Sequence, residues 1–577
     1  MSGATAVCDT KDMRALSAKT RELIEELYRL ADEPVPSRSQ AAWQAVAVLE
    51  RIADRGEPLA IPWIIACVLD SRREIAEAAG QVVQRLRLRV GIRDLGMFDR
   101  AFRATALWSR PGPSRWRRMA PDELRAVATL QTGPVLLQLA MCHPSGHVRE
   151  AAIRRSATCA DGSEIPFLLL RTNDWVLPVR GLAQSALRAR LGARHLPDLV
   201  AALPVLDEMP RWGRLGDTAL IDDIHVLLGS AAAVPALRAA LSSLDRFVRR
   251  CAFRRLIARE APQGEAREAA GAQGPYRDSS GGLDPRAEVA AAALRDADPA
   301  IRTWVERRLT AGSDRAFLAF SDALLRSRLG ASRLGAAQRL LALGLAVPWR
   351  ELLFDDHAGV RALAQQTVLD SGGDPDVEYR AGMATSRARR LSVALLGLSE
   401  TGGGDDSTVI RGYLTDPIAA VRRGALRALV HLKVDDAVEL CLASLADGSP
   451  SVSHAARALL AVRIASISPA RLWTVFQRVT TAWGRTDALA LLSLADYWTG
   501  MPYLLRAFCA SEGVVRDRAA HYLGRRIERQ HRMFTAPSPS TADELRATLD
   551  SPALPEAFRR ELSAILDSRL RHVTKPR

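Results

Sequence analysis

Asp356-His357-Ala358-Gly359-Val360-Arg361-Ala362-Leu363-Ala364 sets a turn residue, a few polar or small positions and a Val-Arg pair ahead of small residues and Leu at helical spacing. The same word recurs along the chain. Its clearest copies are His147-Val148-Arg149-Glu150-Ala151-Ala152, Asp174 to Val179-Arg180-Gly181-Leu182, Asp245-Arg246-Phe247-Val248-Arg249 and Asp298-Pro299-Ala300-Ile301-Arg302. Asp416 to Val421-Arg422 and Val515-Arg516-Asp517-Arg518-Ala519-Ala520 follow, with weaker copies at Ile75-Ala76, Arg211, Arg333, Arg390, Val452-Ser453 and Arg485. Arg149 to Arg180, Arg180 to Arg211, Arg302 to Arg333, Arg422 to Ser453 and Arg485 to Arg516 are each steps of 31 residues. A fixed period of this length is the mark of a repeat array.

A second marker shows what one repeat contains. Pro62, Pro134, Pro166, Pro235, Pro348 and Pro502 precede the Val/Ile positions by 12 to 14 residues. Proline there fits a first helical turn, where its missing N–H costs nothing. Between the markers, Val234-Pro235-Ala236-Leu237-Arg238-Ala239-Ala240-Leu241 shows apolar residues at three and four spacing and no strand alternation. Each repeat therefore reads as two helices.

On these motifs the chain resembles the HEAT-repeat family, in its short bacterial form also seen in the HEAT-like repeats of phycobilisome lyases. The resemblance covers roughly residues 40 to 530 and implies an all-α, right-handed α-solenoid of about a dozen helix pairs. The residue types have structural roles within it. Asp174, Asp245, Asp298, Asp356 and Asp416 stand where a turn side chain accepts bonds from the N–H groups opening the next helix. Arg149, Arg180, Arg249, Arg302, Arg361, Arg422 and Arg516 are expected to form a ladder, each bonding a turn Asp or a carbonyl of an adjacent repeat. The competing reading is a line of phosphate-binding arginines.

Two steps are too long. Between Arg249 and Arg302 the excess is supplied by the Gly-, Ala- and Pro-rich stretch Glu260 to Asp284, expected to be a loop. Between Ile75 and Val148 the excess includes the run from Leu107 to Met119, which brings Trp108, Arg110, Arg115, Trp116, Arg117 and Arg118 together. Arginine and tryptophan suit a protein interface, or phosphate and base stacking, so these six are the candidate partner contacts. Two folded-back tryptophans beneath solvated arginines are the structural alternative. The expected organisation is an N-terminal helical cap at 1–50, a repeat solenoid at 51–530 with insertions near 97–125 and 260–285, and a linker with a C-terminal capping helix at 531–577. Thr541-Ala542-Asp543-Glu544 has the pattern of a capping box opening that last helix.

The chain has 577 residues and a formal net charge of +15, and its 80 basic residues are all arginine except Lys11, Lys19, Lys433 and Lys575. Spread over this length the excess is screened beyond about 8 Å, so only a local cluster makes a binding field. Met1 to Arg14 lacks an apolar signal core, and Ile61 to Leu69 is far shorter than the roughly 20 residues of a membrane span. The seven cysteines form no CxxC pair, which fits a reducing cytoplasm.

No chemistry is legible in the linear order. His143 and His147 are separated by the turn Pro144-Ser145-Gly146, which argues against a shared metal. No His-Glu pair occurs, so the ligand set of the HEAT-built deoxyhypusine hydroxylases is absent. Thr401-Gly402-Gly403-Gly404-Asp405-Asp406-Ser407-Thr408 lacks the spacing and lysine of a phosphate loop. No catalytic, metal or cofactor residue is expected, and the protein reads as a non-enzymatic, cytoplasmic, monomeric scaffold or adaptor holding a protein partner on the concave face. Nucleic-acid binding, as in HEAT-like alkylpurine DNA glycosylases, and a chromophore-lyase-like role are the alternatives.

Overall fold

Before each ladder position the chain runs extended for one residue and then turns into helix. With the ladder residue as i, residue i−4 is the N-cap: Ser145, Val176, Leu329, His357, Ile418 and Ser449 all have extended backbone there. An extended residue leaves its N–H pointing out of the helix, and the side chain at i−6 takes it. His143 accepts from Ser145, Asp174 from Val176, Ser243 from Asp245 and Asp296 from Asp298. Ser327 accepts from Leu329, Asp355 from His357, Asp416 from Ile418 and Asp447 from Ser449. The requirement is an acceptor of the right reach, and Asp, Ser or His meets it.

The computed structural model describes residues 16–31, 38–103, 115–157, 161–212, 218–258, 285–384, 387–402, 406–529 and 535–573. Among the described residues every regular element is helical. The chain forms two compact units, Met1–Leu309 with Ser313–Ala319, and Thr310–Gly312 with Phe320–Arg577. In the first, Ala18–Ala31 packs on Arg38–Arg55, which packs on Arg73–Arg87. Gly133–Ala140 then pairs with Gly146–Ser156, Ile165–Arg171 with Leu177–Arg188, and Val234–Ala240 with Arg246–Ala258. In the second, Trp349–Leu352 pairs with Ala358–Asp370, Pro375–Met383 with Ala388–Thr401, and Asp406–Gly412 with Ala419–His431. Ala437–Ser444 pairs with Pro450–Ala461, Pro469–Arg478 with Ala482–Leu494, and Tyr497–Ala510 with Gly513–Glu528. Second helices of successive repeats stack in Gly146–Ser156 with Leu177–Arg188, in Gly330–Ala342 with Ala358–Asp370, and in order from Ala388–Thr401 to Gly513–Glu528, so these repeats cover one another's apolar faces.

Small residues set the stacking distance. A Cβ on Gly146 would stand 3.2 Å from Val176 of the next turn, and one on Gly484 would run into the carbonyl oxygen of Leu445. The marker Val148, Val179, Val360 and Val421 side chains are buried between the layers.

Several expected boundaries move. Pro62, Pro134, Pro166 and Pro235 lie in first helical turns, but Pro348 is an N-cap and Pro502 sits inside Tyr497–Ala510. The last repeat's helix opens at Ser538, whose side chain accepts from Thr541 N–H, three residues before the expected capping box. Glu544 of that box instead pairs with Arg506 at 2.9 Å. Arg211 ends a short 3-10 turn, Met209–Arg211, and the residue four before it, Asp207, is helical and not extended. Leu391 holds the ladder place in Ala388–Thr401, after the extended N-cap Arg387, and its neighbour Arg390 lies 3.6 Å over the Phe354 ring. The Glu260 to Asp284 stretch and Gly403 to Asp405 lie outside the described residues.

Candidate functional site

The ladder arginines make two kinds of bond. The first is to the carbonyl at i−6 of their own turn: Arg149 Nη1 donates to His143 at 2.8 Å, Arg180 to Asp174 at 3.1 Å, Arg249 to Ser243 at 2.8 Å and Arg302 to Asp296. Arg333 donates to Ser327 at 2.6 Å, Arg361 to Asp355 at 2.8 Å and Arg422 to Asp416 at 2.8 Å. The second is a fork onto an acid further along the chain. Arg149 Nε and Nη2 reach Asp174 at 2.9 and 2.8 Å, Arg249 reaches Asp296 at 2.9 and 3.0 Å, and Arg333 reaches Asp355 at 2.6 and 2.5 Å. Arg422 reaches Asp447 at 2.8 and 2.6 Å, and Arg361 reaches Glu400. One guanidinium thus ties its own turn to the next, with all three nitrogens used.

Four of the expected turn acids take no fork from a ladder arginine. Asp245 and Asp298 lie two residues late and cap Phe247 and Ala300 N–H, and Asp298 also takes the fork of Arg250. Asp356 pairs with Arg389, while Asp416 caps Ile418 and offers its ladder arginine only a carbonyl. Arg302 bonds carbonyls, and Arg516 lies 4.7 Å over Phe508.

In the first unit the ladder runs into a buried charge network. Asp174 takes Arg149 on one side and Arg171 Nη1 at 3.0 Å on the other, and Arg171 Nη2 reaches Asp99 at 2.6 Å. Burial pulls the Asp174 carboxyl upward, but bonds from Arg149 and Val176 N–H and the charge of Arg171 outweigh it and hold it below the usual carboxylate range. Cys142 next to Asp99 is pushed up, first by burial and then by that carboxylate, so it stays a thiol.

The Trp/Arg insertion is described from Arg115 onward; Trp108 and Arg110 lie outside the described residues. Trp116 is 0% exposed, which removes it from any partner surface. Its ring lies 6.0 Å from that of His143, and its carbonyl receives His143 Nε2 at 2.8 Å. Both His143 nitrogens are therefore engaged with backbone, and burial lowers its pKa to about 4. Arg115, Arg117 and Arg118 remain exposed on the short helical turn that Trp116 anchors.

Two constellations become visible only in three dimensions. Cys251 Sγ donates to Asp207 Oδ2 at 3.2 Å, with Arg255 bridging Asp207 and His225. Burial and Asp207 push the Cys251 thiol up to about 12, the reverse of nucleophile activation. Ser453 Oγ and His454 Nδ1 both bond Asp487 Oδ2, at 2.7 and 2.6 Å. The serine proton therefore faces the acid and not the imidazole, so no Ser-to-His relay is formed. A third feature was also missed: Trp175 and Leu177, 65% and 68% exposed, flank the N-cap of the turn that Asp174 holds.

No family model and no curated protein sequence matches the chain. Among solved structures it is similar to Kap95p in the Kap95:Nup1 complex, at 13% identity over 96% of this chain and 78% of that one, with a TM-score of 0.36. Kap95p with RanGDP aligns at 11% identity over 96% and 73%, with a TM-score of 0.32. Kap121p aligns at 13% over 96% of this chain and 57% of its own, with a TM-score of 0.28. The chain is an all-α array of helix pairs.

Proposed function

We propose that the chain is a non-enzymatic scaffold that binds a protein partner. The observation that carries this is the pair Trp175 and Leu177: two large apolar side chains held in solvent on a turn fixed from below by Asp174, Arg149 and Arg171. An exposed tryptophan on a rigid base is an anchor that loses little freedom on binding. The exposed Arg115, Arg117 and Arg118 supply polar contacts beside it. His143 bonds Trp116 beneath them, and Gly146 of the same turn abuts Val176. In this reading residues 1–50 and 531–577 serve as caps, and the protein is a cytoplasmic monomer until its partner binds.

The test is affinity capture with the native chain and with Trp175→Ser/Leu177→Ser. The expected result is a stoichiometric partner lost in the double variant and kept in Val462→Ser, which changes a still more exposed apolar residue in the other unit. Equal capture by all three overturns the reading.

The exposed Arg115, Arg117 and Arg118 favour a second reading, nucleic-acid binding. It requires an affinity that falls with salt along a slope of several phosphates and drops when the three are changed to Ala. A flat salt dependence excludes it.

A further inference from the structure

The arginine series runs further along the chain than the acid series. Forks close on Asp174, Asp296, Asp355 and Asp447, each at the i−6 place of its turn. The turn onward from Arg485 has Ala510 at i−6, and the turn onward from Arg516, opened by the N-cap Ser538, has Ala536 there. Arg485 and Arg516 therefore face onward to turns without a carboxylate at that place. Arg180 and Arg302 also lack a fork, but singly, and each still holds its own turn's carbonyl. Arg485 and Arg516 are successive and have left that carbonyl for an aromatic face. Arg485 lies 4.5 Å over Phe476 and reaches Ser511 Oγ at 3.3 Å, while Arg516 lies 4.7 Å over Phe508. Among the described residues Arg516 forms no hydrogen bond or ion pair, and both side chains are part-exposed.

We propose that Arg485 and Arg516 form a two-point site for an acidic peptide, whose carboxylates take the places that Asp174, Asp355 and Asp447 take in the closed rungs. This deepens the scaffold reading and rests on it. The chain's own closed rungs define the ligand chemistry: a planar guanidinium fork meeting a carboxylate. Phe476 and Phe508 hold the guanidinium planes, so little freedom remains to be lost. Ala482–Leu494 and Gly513–Glu528 are packed neighbours, and packed helix axes lie about 8–10 Å apart, which sets the spacing of the two ladder positions. An extended peptide covers that span in about three residues, so the fitting segment carries acids about three positions apart. The exposed Glu512 and Asp517 stand beside the pair and disfavour a long polyanion. Asp487 is already engaged by Ser453, His454 and Arg457.

The probe is a fluorescein-labelled Gly/Ser peptide with two glutamates about three residues apart, read by anisotropy on the full chain. Arg485→Gln/Arg516→Gln is expected to weaken binding about tenfold or more, the effect of losing charged hydrogen bonds. Ala510→Asp is the decisive variant. It places an acid at an exposed i−6 position, closes the Arg485 rung from within, and is expected to raise the melting temperature while weakening the peptide about tenfold. Peptide affinity unchanged in Ala510→Asp and in the double variant overturns the proposal. So does a single-stranded oligonucleotide that outcompetes the peptide at equal charge. Partner capture through Trp175, measured in Arg485→Gln/Arg516→Gln, shows separately whether the scaffold reading stands.

Discussion

Arg149 and Asp174 are both fully buried, and the pair carries more than a surface ion pair can because neither charge has water to fall back on. Arg149→Ala leaves Asp174 with Arg171 alone and is expected to cost about 3–5 kcal/mol of unfolding free energy in urea titrations, partly recovered by adding Asp174→Asn. The ladder acids Asp174, Asp296, Asp355 and Asp447 are all held below the usual carboxylate range, burial opposing and arginine hydrogen bonds prevailing. The unfolded chain binds their protons first, so their contribution is full above about pH 4 and is lost as the pH falls through the lower folded values. His143 adds a loss that begins at higher pH. Burial lowers it from 6.5 to about 4, so the unfolded state alone gains a proton between those values and stability falls across that window. Urea midpoints measured from neutral pH downward should show this slope, flattened in His143→Gln.

Among the elements, glycines separate close approach from mere conformational cost. Gly181 has open space around its Cβ direction in Leu177–Arg188, so Gly181→Ala should stabilise by about 0.5–1 kcal/mol. Gly484→Ala drives a methyl into the Leu445 carbonyl and should destabilise by about 1–3 kcal/mol, both read from thermal melts. The helices themselves were legible, because Val at the marker and small residues after it recur at one spacing. The turn acceptors were only half legible. Position i−6 holds His143, Ser243, Ser327 or Asp, so what recurs is a bond acceptor and not a letter, and the Asp at 245, 298 and 356 stands one or two residues past it. Trp116 takes the folded-back alternative and not the contact role, and the sequence does not show that His143 stands behind it.

For the whole molecule, the period reveals the array and hides its division. The break between the two units falls within residues 310–320, inside the step from Arg302 to Arg333, which keeps its 31 residues. Nothing in the spacing marks that division. In an array stabilised by neighbours, Val360→Asp buries an unpaired carboxylate and should loosen the repeats on either side. Hydrogen exchange is expected to rise in Gly330–Ala342 and Ala388–Thr401 while Gly146–Ser156, in the other unit, keeps its protection.

The fork bonds all point one way: from Arg149, Arg249, Arg333, Arg361 and Arg422 to acids that lie later in the chain. A ribosome therefore always delivers the cation before its counter-ion. Each of these five arginines waits with an open guanidinium until roughly one more repeat has followed, and Arg249 until residue 296 has cleared the tunnel. Growth of the array is thus polar, each rung locked by its successor, and a stall just before an acid would leave the last finished repeat unlatched.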